Sequence, residues 1–105
     1  MKENQKQEGN TMFEIKGKQI LNPTVTRMDF YAPRIAKKAQ AGQFVILRVD
    51  ELGERIPLTV ADYDREKGTV SVIFQIVGAT TQKLNAFNIG DCIQDLVGPL
   101  GKATH

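Results

Sequence analysis

Two segments of this chain alternate apolar and other residues with a period of two, and a charged break divides them. Residues 55–61 (RIPLTVA) carry Ile56, Leu58 and Val60 at every second position, with Arg55, Pro57, Thr59 and Ala61 between them. Residues 69–77 (TVSVIFQIV) repeat the pattern with Val70, Val72, Phe74 and Ile76. Successive strand side chains point to opposite faces, so each segment predicts a strand with one apolar face. The break itself, 64–68 (DREKG), is a charged turn ending in glycine, as a hairpin connection requires.

The neighbouring segments extend this reading. Residues 13–21 and 24–32 are two further strand candidates, joined at the turn dipeptide Asn22-Pro23. Residues 33–39 (PRIAKKA) have the makings of one or two helical turns, with Pro33 at the tolerated first position. After Ala41-Gly42, residues 43–49 (QFVILRV) are too uniformly apolar for anything but a buried strand, and 51–54 make a hairpin loop around Gly53. Gly78 opens a helix-like segment to Asn88 in which Leu84 and Phe87 share a face. Residues 92–97 are a last strand before 98–101 (GPLG). Short strands broken by turns, without a βαβ rhythm, predict a small antiparallel barrel or sandwich.

At 105 residues the chain is one domain. It holds 14 Lys and Arg against 12 Asp and Glu, interspersed, so no basic stripe for nucleic acid stands out, and Lys37-Lys38 reads as solvated surface. No apolar run approaches the roughly 20 residues of a membrane span. Residues 1–11 are polar and read as a flexible leader without the apolar stretch of a secretory signal, so a cytoplasmic location is expected. Cys92 is alone and His105 is terminal, which leaves no thiolate metal or iron–sulfur site and no credible histidine base. A buried small hydrophobe is the expected role of Cys92.

Two segments carry chemistry. In 78–84 (GATTQKL) a strand runs into glycine, then hydroxyl residues, then a helix. The unpaired N–H groups of a first helical turn suit phosphate, and Thr80 or Thr81 can either cap the helix or donate to a phosphate oxygen. An ordinary capped helix explains the same residues. In RIPLT, Pro57 cannot donate to a ladder, which confines it to an edge or a bulge. There a ligand can approach the backbone, with Arg55 suited to phosphate and Thr59 to a ring nitrogen or carbonyl. A proline that merely protects an edge from aggregation explains this segment too.

Taken together, RIPLT, SVIFQIV, GATTQKL and GPLG resemble the FAD-binding domain of the ferredoxin reductase superfamily, over about residues 12–105. The likeness is to the electron-transfer subunit of bacterial dihydroorotate dehydrogenase and the small subunit of NADH-dependent ferredoxin:NADP oxidoreductases. The resemblance implies a mainly β fold, a six-stranded antiparallel Greek-key β-barrel with one late α-helix, spanning 12–101, with 102–105 beginning a nucleotide-binding domain. It implies that Ile56, Pro57, Leu58 and Thr59 line the flavin, with Thr59 nearest N5 as the catalytic contact. Ile73, Phe74 and Gln75 would flank the ribityl and adenosine portions, and Gly78, Ala79, Thr80 and Thr81 would hold the pyrophosphate.

Three positions depart from the family pattern. Ile56 stands where an arginine is expected, with Arg55 one residue earlier; Gln75 replaces a basic residue; and Thr80 replaces the second glycine. Strand periodicity puts Arg55 on the face of Pro57 and Thr59, where it can still serve. No dinucleotide glycine fingerprint and no cysteine cluster follow, so NAD(P) and [2Fe–2S] sites are expected in the rest of a larger reductase. A larger catalytic or iron–sulfur flavoprotein subunit is its implied partner. The other reading is a small β-barrel that binds a ligand or protein without redox chemistry.

Overall fold

A computed structural model describes residues 13–50 and 53–102. The expected leader, Met12, two residues of the 51–54 loop and the terminal His105 lie outside the described residues. Seven strands and two short helices follow in the order β1 (Phe13–Asn22), β2 (Val25–Tyr31), α1 (Pro33–Lys38), β3 (Phe44–Arg48), β4 (Arg55–Asp64), β5 (Thr69–Gln75), α2 (Ala79–Asn85), β6 (Cys92–Ile93) and β7 (Asp95–Leu100). All pairings are antiparallel, in the spatial order β6-β1-β2-β5-β4-β3-β7.

The first hairpin is set by its turn. Asn22 Oδ1 accepts from Thr24 N at 2.9 Å and from Thr24 Oγ1 at 3.1 Å, so the asparagine side chain stands in for a backbone turn. From there β2 alternates strictly, with Thr26, Met28 and Phe30 buried. β3 buries Val45 and Leu47, and β5 buries Val70, Val72 and Phe74. Leu84 of α2 joins this core, together with Ile35 and Ala36 of α1. The alternations that predicted strands therefore supply one continuous apolar interior, which is what holds a sheet of this size together.

The sheet is curled, because its two edges belong to one stretch of chain. Cys92 and Ile93 pair with Glu14 and Phe13 of β1, and two residues later Asp95 pairs with Arg48 of β3. Gln94 makes the crossing, its N–H donating to the carbonyls of Arg48 at 3.0 Å and Val49 at 3.1 Å. This corrects the count of six strands. The expected single strand over 92–97 is two, and the second runs on through Gly98 and Pro99 to Leu100, which faces Phe44.

Two helical expectations also shift. The 33–38 helix is formed, so the late helix is not alone. The late helix ends at Asn85 rather than Asn88: the N–H groups of Ala86 and Phe87 turn back to the Lys83 and Leu84 carbonyls, tightening the last turn. Lys18, from β1, donates to the Asn85 carbonyl at 2.7 Å and the Phe87 carbonyl at 2.9 Å, and Thr26 donates to Asn85 Oδ1 at 2.6 Å. The carboxyl end of α2 is thereby tied to the first hairpin.

β4 changes partner halfway along. Residues 55–59 pair with β3, placing Pro57 opposite Ile46, whereas pairing with β5 runs from Val60 opposite Val72 to Asp64 opposite Thr69. The change of partner falls between Thr59 and Val60, and a register shift follows at Ala61 within the β5-paired half. On its β5 side the first half of β4 is thus a local edge, which is where a strand tolerates proline.

Candidate functional site

Where β4 and β5 part, their outward residues flank an opening in the sheet. Arg55, Pro57 and Thr59 are exposed on β4, and Ile73 and Gln75 are exposed on β5. Ile56 and Leu58 are half-buried and pack against the core, so they offer the outer face only their backbone. Phe74, which the resemblance assigns to the ribityl and adenosine portions, is 3% exposed and lies in the core. Its side chain has no access to that face, because period two turns it inward between Ile73 and Gln75.

The chain leaving β5 turns at Gly78 into α2. A Cβ built on Gly78 would meet nothing within 4 Å, so the space beside this turn is open. The two threonines that follow divide the tasks the sequence left undivided. Thr81 Oγ1 accepts from the N–H groups of Val77 at 2.9 Å and Gly78 at 3.0 Å, and donates to the Gly78 carbonyl at 3.1 Å. Its single proton and its lone pairs are consumed by the helix start. Thr80 instead faces outward, and its hydroxyl donates to Glu54 Oε2 at 3.2 Å.

That bond brings the head of β4 to the start of α2. Between them lies a cleft of about 350 Å³ lined by Val49, Gly53, Glu54, Ala79, Thr80 and Lys83. Lys83 Nζ reaches Asp50 Oδ2 at 3.0 Å. The Arg55 end of the proline-bearing strand and the Gly78–Thr81 turn are therefore on one side of the molecule, and no packed core separates them.

Sequence reasoning singled out neither Glu54 nor Lys83. The signals were present: Glu54 adjoins Arg55, and Lys83 lies three residues beyond Thr80, hence on the same helix face. A second, polar cleft on the outer face holds Arg27, Asp29, Asp62 and Ser71. Ser71 Oγ donates to Asp29 Oδ1 at 2.6 Å, and Arg27 bonds Asp29, Ser71 and Asp62. Arg27, Asp29, Asp62 and Ser71 are thus bonded to one another. Among the described residues, no three His, Cys, Asp or Glu side chains cluster closely enough to hold a metal ion, and no helix is long and apolar enough to cross a membrane.

Fold and comparisons together define a class: the chain has the fold of the FAD-binding domains of ferredoxin reductase-like proteins and is similar in sequence to dihydroorotate dehydrogenase B electron transfer subunits. Within it, the chain is 43% identical over 93 residues to a dihydroorotate dehydrogenase B (NAD(+)) electron transfer subunit homolog of Thermotoga maritima, covering 89% of this chain and 33% of the relative. It is 57% identical over 90 residues to an uncharacterized protein in the adh 3' region of Clostridium beijerinckii, covering 86% of this chain and 30% of that protein. The solved NADH-dependent reduced ferredoxin-NADP oxidoreductase superposes with a TM-score of 0.86 at 41% identity, over 92% of this chain and 35% of that one. The chain thus spans about a third of the length of these relatives. No protein-family model matches it.

Proposed function

We propose that this chain is the FAD-binding module of an NAD(P)H-dependent electron-transfer oxidoreductase. The observation that carries the proposal is the Thr80–Glu54 bond, which brings the Gly78–Thr81 turn to the head of the Arg55–Thr59 strand. The residues present fit the dinucleotide. An exposed strand edge offers Pro57 and Thr59 to the flavin ring, open space beside Gly78 leaves room for phosphate, and Arg55 on the same face supplies charge.

When bound, FAD supplies the chemistry, accepting hydride from a nicotinamide and releasing single electrons; the protein orients it and sets its hydrogen bonding. Thr59 is the group we assign to flavin N5, through its hydroxyl. Pro57 and the backbone of Ile56 and Leu58 support the ring. Ile73, Gln75 and the Phe74 backbone flank the ribityl and adenosine portions, and Gly78, Thr80 and the first-turn amides receive the pyrophosphate. Thr81 acts on it indirectly, by holding the turn in shape.

The proposal extends to the parent protein. NAD(P) and an iron–sulfur centre belong to the two thirds that the relatives have beyond this match, with 12–101 as the flavin domain and 102–105 leading into the next. Electrons then pass to a ferredoxin-type or dihydroorotate dehydrogenase partner subunit in the cytoplasm. We read the curled seven-stranded sheet as a Greek-key barrel in which β6 and β7 act as one interrupted strand, a reading that the order β2-β5-β4-β3 supports. Titrating the purified chain with FAD tests the reading: binding quenches flavin fluorescence and leaves the protein yellow. A chain indifferent to FAD is instead a small binding barrel without redox chemistry.

A further inference from the structure

The cleft between β3, β4 and α2 has a charge problem. Of the described residues that line it, Lys83 alone carries a positive charge, and Glu54 faces it with a negative one. Asp50 adds a second carboxylate, already paired with Lys83 at 3.0 Å, while Glu54 accepts the Thr80 hydroxyl at 3.2 Å. A diphosphate brought into this space meets two carboxylates before it meets a free cation, and like charges at such distances repel. Each of the two donors is therefore held by an acid that takes the place of a phosphate oxygen.

The Lys83–Asp50 pair is exposed, with side-chain accessibilities of 50% and 42%. Exposed pairs of this kind are worth little and exchange partners readily. The diphosphate of FAD carries two negative charges against the single charge of Asp50, so it competes for the same ammonium. Neither Ile56 nor Gln75 offers a charge to the same ligand, and Arg55, next to Glu54 at the head of β4, is not among the residues that line the cleft.

We propose that Lys83 is the cation that meets the diphosphate of the dinucleotide, and that Asp50 competes with that diphosphate for it. The ammonium exchanges Asp50 Oδ2 for a phosphate oxygen, and Thr80 exchanges Glu54 in the same way. The assignment depends on side chains across the cleft rather than on the helix amides, and it rests on the FAD reading of this cleft.

The test uses the full chain and two ligands, FAD and riboflavin, which lacks phosphate, with binding read by flavin fluorescence. K83Q is expected to weaken FAD about tenfold, the scale of one charge-assisted contact, while riboflavin binding stays within about twofold. K83R retains the charge and is expected to hold FAD within about threefold of the parent. D50N keeps the side-chain shape, removes the competitor, and is expected to tighten FAD about threefold without affecting riboflavin. Equal weakening of both ligands by K83Q, no effect of K83Q on FAD, or weaker FAD binding by D50N overturns the assignment to Lys83 and Asp50 while leaving the FAD reading intact. A parent chain that binds neither flavin overturns the FAD reading, and this inference with it.

Discussion

Val60 sits opposite Val72, both in the core, and one residue before Val60 the strand that carries it has left β5 for β3. Thr59 is the last outward residue before that junction, and Ile73 is the first outward residue beyond it on β5. The opening that Thr59 borders is therefore a product of pairing, fixed by buried valines behind it. A residue anchored by such neighbours holds its side chain in a defined place, which a cofactor contact needs.

Thr59→Val removes a hydroxyl from an exposed strand position and keeps the β-branched shape. Stability is expected to change by less than about 0.5 kcal/mol, as for surface substitutions in general. If the hydroxyl bonds flavin N5, its loss shifts the two-electron potential of the bound flavin by about 20–30 mV, the equivalent of one net hydrogen bond of about 1 kcal/mol. Spectroelectrochemical titration of the FAD-loaded chain reads the shift. An unchanged potential removes Thr59 from the flavin edge.

Thr80 and Thr81 separate binding from folding. Thr81 is bonded three times within the helix start, so Thr81→Val loses a cap and is expected to cost about 1–2 kcal/mol. Thr80→Val gives up one exposed bond to Glu54, with an expected cost under about 0.5 kcal/mol. FAD affinity should fall in Thr80→Val without a change in stability. Urea midpoints beside fluorescence titrations distinguish the two; equal destabilisation by both variants contradicts this division.

The sequence revealed most where a residue's role follows from period. The inward sets Val70-Val72-Phe74 and Ile56-Leu58-Val60, and the outward set Arg55-Pro57-Thr59, are local consequences of pleat geometry. What escaped depends on partners distant in the chain. The strand expected to stop at Ala61 continues to Asp64, because the register shift there inverts the pattern and turns Tyr63 rather than Asp62 toward the core. The division of the last strand at Gln94 is set by Arg48 and Val49, and no local propensity encodes it. Phe74 shows the opposite limit: its motif position pointed to the cofactor, while its period had already turned it inward. Glu54 and Lys83 became visible only once folding brought them across the same cleft.

Lys18 is a lysine whose ammonium ends on two backbone carbonyls, those of Asn85 and Phe87. A cation at a helix carboxyl terminus satisfies orphan acceptors and opposes the dipole. Lys18→Met keeps the aliphatic stem and loses both bonds, with an expected cost of about 1–2 kcal/mol. The effect should be concentrated in α2, so amide exchange of Leu84 and its neighbours should accelerate more than that of β2 or β5. Uniform acceleration across the sheet would show that Lys18 supports the whole fold rather than the seat of the helix.

Cys92 carries a pH dependence whose sign can be stated. Cys92 is only half-buried rather than the buried hydrophobe expected, and that partial burial raises the thiol above its ordinary range, with the negative charges of Glu14 and Asp91 pushing it in the same direction. The folded chain therefore holds the thiol proton at pH values where the unfolded chain has begun to release it. Because the native state binds more protons there, stability falls as pH rises through the unfolded thiol value, and below that value the cysteine contributes no slope. The same protonation makes Cys92 a poor nucleophile, since the thiolate is the reactive form. Iodoacetamide should modify native Cys92 more slowly than a free thiol at pH 8 and approach the free rate only at more alkaline pH. Cys92→Ser should flatten the alkaline decline of the urea midpoint between about pH 8 and 10. Rapid alkylation of the native chain at pH 7, at the rate of a free thiol, would show that neither burial nor the two carboxylates restrains it.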